Sequence, residues 1–165
     1  MSIRFNADEV FEMALQIERN GAKFCRHLAG LAASQHSREL FLHLAAMEDE
    51  HERVFAQMRA QLTEQEKQPL VPDPEGESAL YLQAMANGYV FDLSIDPTQN
   101  LAGRETPEAI LQMAIGYEKD SIAFYEGMQP LVPPRLGQER LREIIAQEMG
   151  HIALLSRELA SLKKG

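Results

Sequence analysis

The stretch Glu48-Asp-Glu-His51 decides the predicted fold, because its Glu-x-x-His spacing returns 100 positions later as Glu148-Met-Gly-His151. A further glutamate precedes each stretch by 30 positions, at Glu18 and at Glu118. One Glu-x-x-His alone is a weak signal, because about 0.6 matches are expected by chance in a chain of this composition. Two copies with matching upstream glutamates indicate a duplicated unit.

The same offset relates other residues, which extends the duplication beyond these stretches. A repeat of this length is typical of a helical hairpin that occurs twice. The identical pairs are Met13 and Met113, Ala14 and Ala114, Phe24 and Phe124, Glu39 and Glu139, Ala46 and Ala146, and Ala60 and Ala160.

The first half is predicted to form two helices, A and B. Helix A covers about 7–32 and begins at a capping box made by Asn6 and Glu9. Its buried seam follows alternating steps of four and three residues. A short break around 33–37 leads into helix B, which ends before Pro69, because proline removes a backbone donor. So short a connection makes the two helices antiparallel neighbours.

The second half is predicted to repeat this arrangement with helices C and D. Helix C covers about 107–128, where Thr106 caps the first turn and Pro107 fits it. The breaker at 129–134 separates it from helix D, whose buried seam is predicted to run from Leu141 to Leu162. A long crossover, 63–105, joins the hairpins and is predicted to hold an extra short helix at 77–91. The expected fold is an all-α, ferritin-like four-helix bundle in a single domain, 1–165.

Composition limits the classes of partner. The chain has 165 residues, 45% of them apolar, a net charge of −9 and a pI near 5.0, which disfavours binding to nucleic acid or to anionic membrane surfaces. The single cysteine, Cys25, favours a reducing compartment. Without an apolar signal core or a membrane-length apolar segment, a cytoplasmic location is expected.

Six polar residues occupy seam positions where packing otherwise requires apolar side chains. They are expected to point into the bundle, where ionised carboxylates without compensation would cost several kcal/mol each. Two divalent ions would neutralise four carboxylates, so the pattern predicts a two-metal site. The candidate ligands are Glu18, Glu48, His51, Glu118, Glu148 and His151.

The donor types indicate which metal binds. Carboxylate and imidazole ligands together suit iron or manganese, whereas a site without thiolates is untypical of structural zinc. Two iron ions are therefore the first choice, with manganese or zinc as substitutes. The metal-free alternative is a buried carboxylate and histidine network, or a set of surface residues on helices assigned wrongly.

The stretches at 14–18, 48–51, 114–125 and 148–151 resemble the rubrerythrin branch of the ferritin-like di-iron proteins, and the resemblance extends over nearly all of the chain. It implies that the six candidates are ligands, with Glu48 and Glu148 bridging the two metals. It also implies a homodimer, and reaction of the two-iron site with dioxygen or hydrogen peroxide.

The chain departs from that family in two respects. It has only Cys25 where rubrerythrin proper carries paired cysteine motifs for an electron-transfer iron, so electrons are expected from an external donor protein. Ser121 stands where many rubrerythrins carry an extra glutamate. In that family the extra glutamate is linked to movement of iron between redox states, a role that Ser121 cannot take over as a carboxylate ligand.

Four residues near the predicted site have two interpretations each. Gly21 and Ser121 leave room for water, dioxygen or peroxide, or else they allow close helix packing. Tyr125 donates a hydrogen bond to a ligand carboxylate, or it is a buried core aromatic. Cys25 is expected to be an inert small hydrophobe rather than a redox thiol.

Other metal-binding residue types are assigned ordinary roles. The remaining histidines are expected at the surface, the acidic neighbours of the helix B motif on a solvated face, and the methionines in packing. These residues are His27, His36 and His43; Asp49, Glu50 and Glu52; and Met13, Met47 and Met113.

Two functions fit these features. The first is a di-iron oxidoreductase that reacts with peroxide or dioxygen and is reduced again by an external donor. The alternative is a non-catalytic metal-binding or iron-handling module, such as a ferroxidase partner that transfers iron. Turnover with a reductant distinguishes the two.

Overall fold

The computed structural model describes residues 6–68, 98, 101 and 104–164. This part of the chain is helical and contains no strand, as the all-α prediction requires. The predicted helix at 77–91 lies outside the described residues. The helices are α1 (Ala7–Leu31), α2 (Gln35–Ala60), α3 (Pro107–Met128) and α4 (Gln138–Leu162), with 3-10 turns at Gln129–Leu131 and Pro134–Leu136.

The helix starts follow local capping chemistry. At α1, Glu9 N donates to Asn6 Oδ1 at 2.8 Å, and Asn6 N donates back to Glu9 Oε2 at 3.2 Å, which completes the predicted capping box. At α3, Thr106 Oγ1 accepts from Ala109 N at 3.2 Å. The predicted starts of both helices are therefore confirmed.

Two boundaries are sharper than the sequence indicates. Helix α2 begins inside the predicted break, because Ser34 caps it and accepts a hydrogen bond from Ser37 N at 3.0 Å. Helix α4 begins after Gly137, whose φ of +82° lies in the left-handed region that favours glycine. Each helix pair is thus joined by a short segment, as expected for antiparallel hairpins.

The two hairpins, α1 with α2 and α3 with α4, bury the predicted seams against each other. An aromatic layer lies one turn beyond His51. In this layer the Phe55 ring centroid is 5.1 Å from that of Tyr125 and 6.3 Å from that of Phe11. All three side chains are buried. The matched hairpins give the ferritin-like fold that the sequence predicts.

The last turn of α4 differs from the predicted seam. Leu162 is 40% exposed, whereas Glu158, which was not assigned to the seam, is buried. Glu158 Oε1 accepts a hydrogen bond from Ser37 Oγ at 2.6 Å. His36 Nε2 lies 3.2 Å from the other carboxylate oxygen. A polar contact between the hairpins therefore replaces leucine packing at this end.

The described start of the crossover contacts the second hairpin. Arg135 Nε donates to Glu66 Oε1 at 3.0 Å, and Arg135 Nη2 donates to the carbonyl oxygen of Gln61 at 2.8 Å. Within the residues that the structure describes, no helix is long and apolar enough to cross a membrane.

The contact between Glu158 and Ser37 should contribute to stability. Glu158→Ala removes a buried charged hydrogen bond and should lower the free energy of unfolding by about 1 to 3 kcal/mol. His36→Ala is the matched control, because the exposed imidazole contributes little. Urea unfolding of both variants measures the difference. Equal, small losses would show that this contact does not hold the hairpins together.

Candidate metal centre

The six candidate ligands lie close to the middle of their helices and point into the bundle. Each of the four helices contributes one glutamate, and α2 and α4 add a histidine one turn later. All six are buried, with exposed fractions between 1% and 5%. The sequence periodicity therefore placed every candidate on the correct face.

The six side chains form two overlapping groups, and within each group one ligand atom per residue lies within 4.8 Å of the others. Position 1 is formed by Glu18, Glu48, His51 and Glu148. Position 2 is formed by Glu118, His151 and the same two shared glutamates. Shared carboxylates between two neighbouring positions are the arrangement that a bridged metal pair requires.

The distances repeat in the two positions. His51 Nδ1 is 3.0 Å from Glu148 Oε1, 3.4 Å from Glu48 Oε2 and 3.5 Å from Glu18 Oε2. For position 2, His151 Nδ1 is 2.9 Å from Glu148 Oε2 and 3.4 Å from both Glu48 Oε1 and Glu118 Oε1. The imidazole centroids are 5.8 Å apart with nearly parallel planes. The site therefore has approximate twofold symmetry.

Several buried atoms of the site fit a cation better than any partner in the described chain. His51 Nδ1, His151 Nδ1 and both carboxylate oxygens of Glu148 are buried and approach one another only at ion-pair distances of 2.9 and 3.0 Å, without a well-oriented hydrogen bond. Buried polar atoms without a partner are costly and rare. Imidazole nitrogens and carboxylate oxygens that face one point are suitable ligands for two divalent ions.

In the metal-free protein, protons balance the charges of the site. Burial raises the pKa of Glu18 and of Glu118 well above the usual range, and the charge of Glu48 adds to the rise. Burial would also raise the pKa of Glu48, but the neighbouring imidazoles of His151 and His51 hold it well below the usual range. The site therefore favours the protonated forms of Glu18 and Glu118 over their ionised forms.

The histidines carry the compensating charge. Burial lowers the pKa of His151, but the carboxylates of Glu118, Glu148 and Glu48 outweigh it and raise that pKa to about 12. Burial and the surrounding carboxylates act on His51 in the same way, and its pKa is also raised strongly. A pair of bound divalent ions would replace these protons.

Tyr125 satisfies both of its predicted interpretations. Its hydroxyl donates a hydrogen bond to Glu18 Oε1, and its ring packs in the aromatic layer. Burial raises the pKa of the Tyr125 phenol well above the usual range, and the charge of Glu18 raises it further. The phenol therefore remains a hydrogen-bond donor that orients the carboxylate.

Two residues that contact the histidines were not predicted for this role. His51 Nε2 is 2.7 Å from Gln147 Oε1. His151 Nε2 is 3.3 Å from the sulfur of Met47, a residue expected only to pack. Both stand one position before a Glu-x-x-His motif and 100 positions apart. That shared offset was the signal that could have identified them.

A small cavity adjoins the ligands, with room for about one water at roughly 10 Å³. Gly21, Cys25, Ser121, Glu48 and Glu118 are among the residues that line it. A methyl group at Gly21 would lie 3.4 Å from Glu48 Cγ. Such a methyl group would make ordinary van der Waals contact with Glu48, so Gly21 borders a small space and is not required for close approach of α1.

The other candidates lie where their ordinary roles predict. His27, His36 and His43 are exposed. Burial raises the pKa of the Cys25 thiol well above its usual range, and the nearby charges of Glu48 and Glu118 raise it further. This agrees with an inert thiol, because the thiolate is the reactive form. The acidic side chains next to the helix α2 motif face outward, where Asp49 pairs with Arg26 and Glu52 with Arg19.

Comparison with known proteins agrees with this geometry. The Rubrerythrin family model matches residues 9–94, just over half of the chain. A solved ferritin-like diiron-carboxylate protein from Thermotoga maritima aligns with a TM-score of 0.68, 22% identity, and coverage of 99% of this chain and 98% of that one. At this identity the likeness shows the fold. No curated protein matches the chain.

The shared glutamates should be necessary for binding two metal ions. Glu48→Ala removes a carboxylate common to both positions, so the metal content after anaerobic loading should fall from two ions per chain to one or fewer. Asp49→Ala is the matched control, because Asp49 points outward and should leave the content unchanged. Elemental analysis measures both. Two ions bound at full affinity by Glu48→Ala would contradict the assignment.

Metal affinity should increase with pH. The pKa values of Glu18, Glu118, His51 and His151 are all raised, which favours the protonated forms, so a metal that binds must displace protons. Affinity for Co²⁺ should rise steadily between about pH 6 and pH 8. Calorimetry in buffers of different ionisation enthalpy counts the released protons. An affinity independent of pH, without proton release, would contradict the proposed charge balance.

Proposed function

We propose that this chain, which belongs to the rubrerythrin family, is a di-iron oxidoreductase that reacts with peroxide or dioxygen at the buried Glu and His cluster. The observation that carries the proposal is the pair of overlapping ligand groups that share Glu48 and Glu148. Two neighbouring ions held by common carboxylates can act together on one small molecule. Manganese or zinc also fits this donor set.

Iron supplies the redox chemistry that the side chains lack, since two ferrous ions can give the two electrons that convert peroxide and two protons to water. The chain's own residues bind and orient. His51 and His151 point Nδ1 toward the shared carboxylates, and Tyr125 fixes one oxygen of Glu18. The glutamates neutralise the metal charge inside a dry bundle.

The surroundings of the site determine which molecules enter. The cavity beside Gly21 and Ser121 has room for about one water, a size nearer to dioxygen or peroxide than to larger organic substrates. Buried aromatic rings of Phe24 and Tyr117, with centroids 4.2 Å apart, stand at this side of the bundle. The proposed substrate class is therefore a small oxidant.

The cycle requires a source of electrons and an assembly. The sequence has one cysteine, which cannot hold an electron-transfer iron, so we propose an external donor protein. We also propose a homodimer, as the likeness to the rubrerythrin family implies.

One observation supports the alternative, an iron-handling module that oxidises and transfers iron without turnover. Ser121, 6% exposed, contributes a hydroxyl where a further carboxylate would widen the ligand set. In the rubrerythrin family a further glutamate at this place is linked to movement of iron between redox states, so a serine favours binding and oxidation of iron without repeated cycles. Turnover separates the two functions.

The proposed activity predicts repeated cycles. Protein loaded anaerobically with two ferrous ions should oxidise rapidly when mixed with peroxide or dioxygen in a stopped-flow spectrometer, and should cycle again when a reductant is present. Glu48→Ala is the control and should show no fast phase. A single oxidation with no further turnover in excess reductant would favour the iron-handling module, and binding without fast oxidation would contradict the oxidoreductase.

A further inference from the structure

The two metal positions have equivalent ligands but unequal supporting contacts. Position 1 and position 2 each have one histidine, one glutamate of their own and two shared glutamates. Both positions use the same two shared carboxylates, so these carboxylates cannot make one position bind its metal more tightly than the other. Any difference must come from the residues that hold the unshared ligands, Glu18 with His51 and Glu118 with His151.

At position 1, side-chain oxygen atoms of Gln147 and Tyr125 form hydrogen bonds with the two unshared ligands. Gln147 Oε1 lies 2.7 Å from His51 Nε2 and accepts the proton of that nitrogen, so Nδ1 is the nitrogen that would bind a metal once the metal displaces its proton. The Tyr125 hydroxyl donates to Glu18 Oε1 and leaves the other oxygen facing His51. Both unshared ligands of position 1 are thus fixed before a metal arrives.

Sulfur occupies the corresponding places around position 2. The thioether of Met47, a weak acceptor, stands 3.3 Å from His151 Nε2, where Gln147 stands in the other copy. The residue equivalent to Tyr125 is Cys25, and within the described part of the chain Glu118 receives no hydrogen bond from outside the ligand set, whereas Glu18 receives one from Tyr125. The Glu118 side chain is 7% exposed, against 1% for Glu18.

We propose that position 1 binds its divalent ion tightly and that position 2 is the exchangeable position. Supporting contacts to metal ligands typically change metal affinity by about 10- to 100-fold. The ion at position 1 should therefore bind about 10- to 100-fold more tightly than the ion at position 2. This inference rests on the proposed two-metal site and adds an order of loading to it.

The proposal identifies Gln147 and Met47 as positioning residues that act through the imidazoles. Nε2 of each histidine faces its supporting residue, and Nδ1 faces the shared carboxylates. Exchanging the two supports should therefore move affinity between the positions without removing any ligand.

The test is an anaerobic titration of the protein with Co²⁺ alone, followed by calorimetry and by the visible absorption of the bound ion. The unmodified protein should bind in two steps separated by about 10- to 100-fold in affinity. Met47→Gln should tighten the second step and narrow the gap. Gln147→Met should weaken the first step. Met149→Gln, the same exchange at a residue 53% exposed, is the control and should change neither.

Histidine variants assign each step to a position. His151→Ala should retain the tight ion and lose the weak one, whereas His51→Ala should lose the tight ion. Poor folding could weaken metal binding but could not make the second Co²⁺ bind more tightly. The result for Met47→Gln therefore tests the inference even if another variant folds poorly. Two equal steps, or a tight ion lost in His151→Ala, would overturn the inference while leaving the two-metal site intact. Absence of any Co²⁺ binding would overturn both.

Discussion

The structure depends on one constraint: the charges of four buried glutamates and two buried histidines must balance one another. Each ionised group taken out of water alone would cost several kcal/mol, a large part of the stability of a domain of this size. The six groups are tolerable because they meet at one place, where protons or metal ions balance them. The helices must therefore hold all six at the same level of the bundle, and the aromatic layer of Phe11, Phe55 and Tyr125 keeps the adjacent level dry.

The fold and the ligand set follow from local rules, which explains why the sequence predicts both. Residues three and four apart share a helix face, so the seams of apolar residues fix where Glu18, Glu48 and their repeats point. Asn6 and Glu9 fix the first turn of α1, and Thr106 fixes the first turn of α3. Each of these caps involves only residues within four positions of one another. Neither inference needs knowledge of how the helices pack.

Features that depend on packing between helices escaped prediction. Gln147 and Met47 stand beside the seam, and only the crossing of α2 with α4 shows which histidine each can reach. Glu158 looks like a solvent-facing acid until α4 meets the start of α2 at Ser37. The small cavity at Gly21 depends on how α1 and the Glu48 side chain lie beside each other. These contacts depend on how far a side chain reaches and on how close two helices lie. The periodicity of a sequence gives neither quantity.

The two halves agree in the ligands and differ in the supports, and the energetics account for this pattern. Loss of one carboxylate or imidazole leaves the remaining buried charges unbalanced, which costs several kcal/mol. Replacement of Gln147 by a residue like Met47, or of Tyr125 by one like Cys25, buries no new charge and changes only how firmly a ligand is held. A duplicated hairpin can therefore diverge at its supports while its ligands stay fixed. We therefore expect such a bundle to keep the same ligands in both halves while the residues that hold those ligands differ. This difference gives one site two metal positions of different affinity.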